Sequence, residues 1–488
     1  MTRTVIAGGE VVTAGSRFVA DLMIADGKIV QIGGDMPSAD GGVRVLDAAG
    51  YHVLPGGVDM HVHLSPAFTP AGVGPGGVAT EAGPPGPGAG PGGPAAGETV
   101  HYWSDDFASG SRAAVVGGIT TIGNMTFPHV GEPLAAAIER TAAEASGLSL
   151  IDFTLHPIAL SAAGVTAQLA ELTAAGCGTI KIFTMLPSFD HEAAEYVSLI
   201  AGAGQHGLLT MIHCEDASIV AHATHELMAD GRGHPSNYGL ARPVIAEAVA
   251  VARAAAIAEA TGSPVYIVHI SSQSALRVAA EARSRGVPLY VETRPIYLLF
   301  DDTRLTGENG PLYIGNPPLR SASDVAALWR GLANGEVDTC CTDHAPASRA
   351  DKLGADRDLT NVGPGLADLE TMLPILYSEG VAAKRISLER FVEISSTNAA
   401  KIFGLYPRKG TIAVGSDADL VLWDPAAEWT FGWQAGQSRS DFSLYDGWRL
   451  KGRIVATISR GDVVYQDGVI TSEGGRGRFL RASRGGRR

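Results

Sequence analysis

Short runs of β-branched and aromatic residues alternate with longer Ala-rich periods through the middle of the chain. Strands are predicted at Ile119 to Ile122, Ile151 to Leu155, Thr179 to Phe183, Leu208 to Ile212, Val265 to Ile270, Pro288 to Glu292 and Val337 to Thr342. Between them, helices are predicted at Asp105 to Val116, Thr166 to Ala175, Val244 to Ala260, Ser274 to Arg285 and Asp324 to Ala333. Strand, helix, strand repeated about eight times predicts an α/β fold built on a (β/α)8 TIM-like barrel. The two ends follow another rhythm. Runs at Val5 to Val12, Val19 to Ile24 and Lys28 to Ile32, broken by Gly and Asp-Gly turn signals, return in kind at Asp419 to Trp423, Ile454 to Ile458 and Val463 to Tyr465. Both ends are expected to build one smaller β-sandwich domain, with 1–54 and 409–472 as its parts and 55–408 as the barrel. Residues 473–488 read as a basic tail, a terminal strand followed by a loose end.

Composition narrows this picture. With 488 residues, 45% apolar and 18% charged, the chain has the make-up of a globular protein with a large core. No uninterrupted apolar run is long enough to span a membrane, and Val5-Ile6 follows the first residues without the apolar core of a secretory signal, so cytoplasmic residence is expected. A net charge of −14 argues against an electrostatic grip on nucleic acid or anionic lipid. Cys177, Cys214, Cys340 and Cys341 show no CxxC spacing and read as reduced thiols. Residues 71–97 hold 17 Gly or Pro among 27, too little apolar surface to order, so a flexible insertion is expected there, placed where it would cover a site next to it.

Candidate chemistry gathers where the apolar runs stop. In a parallel barrel the reactive side chains stand at the C-terminal ends of strands. His61 and His63 in Asp59-Met60-His61-Val62-His63 share one strand face at spacing i, i+2, and Lys181 lies inside an apolar strand. His213, His269 and Asp343 end three further runs. A lysine buried unpaired is costly, and four imidazoles with a carboxylate form an N/O ligand set suited to zinc-like ions, so a metal centre at one mouth of the barrel is predicted. His101, His191, His222 and His225 default to structural or solvated roles, with His344 a candidate to support the ligands.

The motifs Asp59 to His63, Ser104-Asp105-Asp106-Phe107, Val268 to Ser272, Asn316-Pro317-Pro318-Leu319-Arg320, Thr342 to Pro346, Thr397 to Leu405 and Gly415 to Leu420 together resemble the cyclic amidohydrolases of the dihydropyrimidinase and hydantoinase type, within the amidohydrolase superfamily. The resemblance implies two divalent ions, zinc foremost, with His61, His63 and Asp343 on one, His213 and His269 on the other, and Lys181 bridging them after carboxylation by CO2. It also implies activated water opening a small-molecule cyclic amide to an N-carbamoyl amino acid, with Asp343 relaying the proton, and a homo-oligomer, tetramer or dimer.

Departures from the family bear on the substrate. Leu186 stands where the family carries an oxyanion-holding tyrosine, with Tyr196 and Arg294 as candidate replacements. Arg294, which follows a barrel strand, either recognises a carboxylate or pairs structurally, the second being preferred. Asn316 and Asn361 match substrate-contacting positions and are expected to grip the ring edge, partly through backbone groups. Ser65 replaces the arginine that dihydroorotases place there, which counts against that activity, while an allantoinase-like activity stays open. A non-catalytic scaffold of the collapsin response mediator type is disfavoured because all six ligands are present.

Overall fold

The computed structural model describes residues 3–36, 43–64 and 103–482. The Gly/Pro-rich insertion 71–97, His101 and the end of the basic tail lie outside the described residues. Eight strands form the predicted parallel barrel: Gly57–Val62, Ile119–Thr126, Asp152–Pro157, Thr179–Phe183, Leu209–His213, Val265–Ile267, Leu289–Thr293 and Thr339–Cys340. Parallel ladders join the first three strands and the last five. Single bridges, Ile158 to Lys181 and Val62 to His344, close the ring at both seams. The strands are buried on both faces, as an all-parallel sheet covered by helices requires.

The crossover helices begin and end on readable signals. Asp106 and Ser321 cap Phe107–Val116 and Ala322–Asn334 with reciprocal capping boxes. Gly262 and Gly335 end Val244–Thr261 and Ala322–Asn334 in the left-handed conformation that a Cβ would strain. Helices Leu134–Leu148, Ala193–Gln205 and Ala217–Ala229 complete the outer layer beyond those the pattern predicted. The barrel floor is filled by Met60, Met125, Leu209, Met211 and Tyr266 together with Phe403 from the turn after helix Asn398–Ile402.

One irregularity positions the site. Val58 and Met60 belong to the cluster inside the barrel, whereas Val62 and Leu64 pack in the cluster under the helices. Alternation alone cannot do this. A register shift between Asp59 and Val62 changes which side chains point inward, and it turns His61 and His63 into the barrel mouth. Asp59, fully buried, accepts from the His61 amide and the Thr342 hydroxyl and so ties the bulge to the last strand end.

Strands from both chain ends share one seven-stranded sheet, in which His52–Pro55 pairs antiparallel with Leu420–Thr430 and parallel with Glu10–Val12. A four-stranded sheet of Arg3–Ala7, Leu22–Ala25, Lys28–Ile32 and Val43–Asp47 packs on it around Ile6, Leu22, Ile29, Leu420 and Ile458. The expected single run Val5 to Val12 is broken at Gly8, whose φ of 72° suits a turn. Lys409, 1% exposed, joins this unit to the barrel by reaching Asp152, Asp417 and Asp419 at 2.7, 3.0 and 2.5 Å. The beginning of the tail is pinned: Phe479 bridges and stacks on Phe153, and Leu480 is fully buried.

Candidate metal centre and active site

All six residues expected as ligands line one pocket at the C-terminal mouth of the barrel. One nitrogen each from His61 and His269 and one oxygen of Asp343 lie within 4.8 Å of one another. Asp343 Oδ1 is 3.1 Å from His61 Nε2 and 3.0 Å from His63 Nε2. His213 Nδ1 and His269 Nε2 converge to 3.0 Å. His269 and Asp343 both take positive φ, 40° and 49°, although neither is glycine. Such backbone costs about 1 to 3 kcal/mol per residue and concentrates at functional sites. It also explains why the predicted runs Val265 to Ile270 and Val337 to Thr342 shorten to Val265–Ile267 and Thr339–Cys340: the chain leaves the ladder to aim these two side chains.

The electrostatics suit cation binding. Burial pushes the imidazoles of His63, to about 4, and of His213 and His269 below their ordinary value, so they are neutral donors near pH 7. Burial also lowers the Lys181 amine to about 8, against the raising influence of Glu292 and Asp343. Burial alone would raise the Asp343 carboxyl, but the Arg294 guanidinium and the His61 and His63 imidazoles outweigh it and hold it well below the carboxylate range. Three buried polar atoms here, Lys181 Nζ, His63 Nδ1 and His269 Nδ1, have no hydrogen-bond partner among the described residues. Buried orphans of this kind carry a cost of about 1 to 3 kcal/mol each unless a further group meets them. Neutral imidazoles, a carboxylate and an unpaired amine converging in one pocket fit divalent ions with an added acidic group on the lysine.

Three expected contacts fall elsewhere. Asn361 is absent from the lining; its side chain accepts from the Asp358 amide and donates to the Asp356 carbonyl, and Pro364 and Gly365 of the same loop reach the pocket instead. Arg294 is also outside the lining. It donates to Asp343 Oδ2 at 2.8 Å, to the Thr342 carbonyl at 2.9 Å and to Asp368 at 3.5 Å, which is the structural pairing. Tyr196 is buried against Phe189 and Ser188, away from the pocket, so neither it nor Arg294 stands in for a hydroxyl at Leu186. Leu186 and Asn316 do line it. His344 sits behind, between Asp105 and the Asp368 amide.

Supporting groups that pattern reading missed are mostly acids. Glu292, fully buried, meets His61 Nδ1 at 2.7 Å and accepts from the His269 amide and the Tyr266 hydroxyl. Glu215 meets His213 Nε2 at 2.8 Å. Carboxylates in these places fix ring orientation and raise ligand basicity. Their signal was available: a glutamate inside the apolar run Leu289–Thr293 and another two residues after His213. Trp103, 4.8 Å from the His63 ring, adds a wall that no spacing announces.

A closed parallel barrel with imidazoles, a carboxylate and a buried lysine at its C-terminal mouth is the architecture of the amidohydrolases. The Amidohydrolase family model matches residues 52–464, and the chain belongs to this family. It is 34% identical to a D-hydantoinase of Geobacillus stearothermophilus over 99% of this chain and 97% of the relative. It is 33% identical to a D-phenylhydantoinase of Escherichia coli O1:K1 over 98% of both. A crystal structure of dihydropyrimidinase from Brevibacillus agri covers 100% of both chains with a TM-score of 0.89 at 33% identity. An L-hydantoinase (dihydropyrimidinase) from Arthrobacter aurescens covers 99% of this chain and 100% of that one with a TM-score of 0.84 at 27% identity.

Proposed function

We propose that this chain is a metal-dependent hydrolase that opens the cyclic amide bond of hydantoin-like or dihydropyrimidine-like rings to N-carbamoyl amino acids. The observation that carries this reading is the unpaired, 1% exposed Lys181 amine amid five strand-end ligands. An amine depressed to about 8 supplies the neutral form that reacts with CO2, giving a carbamate and a proton and turning a cation into an anionic oxygen ligand. His61, His63 and Asp343 would hold one ion, zinc foremost, His213 and His269 a second, and carboxylated Lys181 would bridge them. When bound, such ions acidify water to near neutral pH and polarise the scissile carbonyl.

The protein's own groups do the rest. Asp343 presents Oδ1 to the imidazoles because Arg294 holds Oδ2. It takes the proton of the attacking water and passes it to the leaving ring nitrogen. The water oxygen stays on the carbonyl carbon in a carboxyl group, whose remaining proton goes to solvent, and the C–N bond breaks. Trp103, Phe127, Leu160, Phe183, Met185 and Leu186 form an apolar wall that displaces water and accommodates a ring substituent.

A panel of dihydrouracil, hydantoin, 5-substituted hydantoins, allantoin, dihydroorotate and simple cyclic imides tests the substrate class. Turnover confined to allantoin would overturn the substrate assignment. Lys181→Ala is expected to abolish activity and to regain part of it with added short carboxylic acids; full activity of the untreated variant would refute the carbamate bridge.

A further inference from the structure

The start of the basic tail frames a second cleft. It has a volume of about 750 Å3 and opens between the smaller domain and residues 475–478, and none of its described lining residues lines the metal pocket. Lys28, Arg408, Arg460, Arg476 and Arg478 line it against three carboxylates, those of Asp26, Asp417 and Asp462, a local excess of cations in a chain of net charge −14. Two of these carboxylates are already shared out. Asp417 takes Lys28, Arg408 and the buried Lys409 at 2.5, 2.8 and 3.0 Å, and Asp462 takes Arg476 at 2.8 Å. Burial would raise the Asp417 carboxyl, but Lys409, Lys28 and Arg408 outweigh it and hold it at about 2.

Three guanidinium groups keep donors in hand. Arg408 spends only Nε, on Asp417. Arg478 makes no side-chain hydrogen bond or ion pair among the described residues, while its amide is held by Asp152 and its carbonyl by the Phe153 amide. Arg460 gives Nη2 to the Arg476 carbonyl and brings Nε to 3.2 Å from Asp152 Oδ1, but Nε finds no aligned acceptor and Nη1 donates to no described residue. Arg460 also opens the two-residue turn between strands Arg449–Ser459 and Asp462–Gln466 with a φ of 46°, followed by Gly461 at 80°. The first place of such a turn favours Asn, Asp or Gly, so an arginine held there against backbone preference is accounted for by what its side chain does. Burial lowers the Arg460 guanidinium, Asp152 draws it back, and Arg478 and Arg476 lower it again, as like charges drawn together do.

We propose that this cleft binds the phosphate chain of a small polyphosphate anion, held by the guanidinium forks of Arg460 and Arg478 with Arg408 and Lys28 completing the charge. Planar guanidinium forks match phosphate oxygens two at a time, and a single carboxylate would meet only part of this donor set. No described lining side chain is aromatic, so a nucleobase finds no stacking face, and inorganic pyrophosphate and the diphosphate of a nucleotide are recognised alike. The donors come from the turn before strand Lys28–Ile32, from the turn at Arg460 and from the tail, so the bound anion ties the tail to the smaller domain and stabilises the folded chain by mass action.

The test titrates the full-length, zinc-loaded protein with pyrophosphate, ADP, adenosine and acetate by calorimetry in about 50 mM salt, comparing wild type, Arg478→Gln and Arg460→Gln. Wild type is expected to bind pyrophosphate with a Kd below about 1 mM and ADP within about tenfold of it, and to bind neither adenosine nor acetate. Arg478→Gln is expected to weaken pyrophosphate about tenfold and Arg460→Gln at least as much, with metal content per chain unchanged. The melting temperature should rise more with pyrophosphate in wild type than in either variant. No binding by wild type below about 1 mM, or an affinity moved less than about twofold in Arg478→Gln, refutes the site. Arg478 makes no described side-chain contact, so that variant decides the matter even if Arg460→Gln does not fold. A loss of binding that follows a loss of zinc refutes the site equally. An ADP affinity more than about tenfold from that of pyrophosphate, or acetate binding as tightly as pyrophosphate, overturns recognition through a phosphate chain.

Discussion

Arg294→Met removes a guanidinium while keeping most of its apolar stem. The side chain is 1% exposed, and its contacts with Asp343, Thr342 and Asp368 are lost together. The fully buried Asp368 and the 14% exposed Asp343 are left without their cation, and breaking a buried pair from one side costs about 3 to 5 kcal/mol. Arg294 is the largest influence opposing burial at Asp343, so in the variant the carboxyl rises. A carboxyl held below its unfolded value contributes stability that is present above the unfolded pKa and lost as pH falls through the folded one. The variant loses part of that contribution at neutral pH and needs a higher pH to ionise Asp343. The acid limb of kcat/KM therefore moves up, by about one pH unit for each 1.4 kcal/mol of lost interaction. Thermal melting falls by several degrees. The assay is a pH profile of kcat/KM on the best ring substrate with zinc-loaded protein, paired with melting curves of the same samples. An acid limb within about 0.3 unit of wild type, together with a melting temperature within about 1 °C, would sink the claim that Arg294 holds the Asp343 carboxylate.

Further outcomes follow from other buried groups. Lys409→Met leaves Asp152, Asp417 and Asp419 facing one another without their lysine and is expected to cost about 3 to 5 kcal/mol; a soluble variant melting like wild type would contradict this. For protein stripped of metal and CO2, reactivation at fixed CO2 pressure should speed up about tenfold per pH unit toward pH 8 and then level off, because only neutral Lys181 reacts; a rate independent of pH below about 7.5 argues against it. Leu480→Ala empties a fully buried site against the barrel and should cost about 2 to 5 kcal/mol, read as a lower melting temperature, with an unchanged melt as the contrary result.

Much of the fold is legible in the amino-acid sequence alone. Short continuous runs of β-branched and aromatic residues marked the barrel strands because strands of a parallel sheet are buried on both faces, and the six candidate ligands showed because polar side chains at the ends of apolar runs are expensive without a purpose. The bulge after Asp59 was not legible, since a one-residue register change leaves no mark in composition, yet without it His61 and His63 would point out of the barrel. The left-handed backbone at His269 and Asp343 was hidden for a related reason: tertiary contacts impose it against local preference. Arg294 and Asn361 sit near the site in sequence, and only three-dimensional partners reveal that both are already committed, one to a carboxylate and the other to its own turn. The helical stretch from Met372 to Ile402 was unread because its π-helical turns at Leu376–Ala382 and Glu393–Thr397 spoil the ordinary period.

The sheet shared by the two chain ends sets an order on biosynthesis. His52–Pro55 waits for Leu420–Thr430, made about 365 residues later, before its antiparallel edge is covered. At ribosomal rates of about 5 to 20 residues per second the delay is roughly 20 to 70 s. During that interval the nascent protein carries an open strand edge while the whole barrel emerges behind it, so the period of greatest exposure to aggregation and to chaperone capture ends only when the last sixth of the chain is translated.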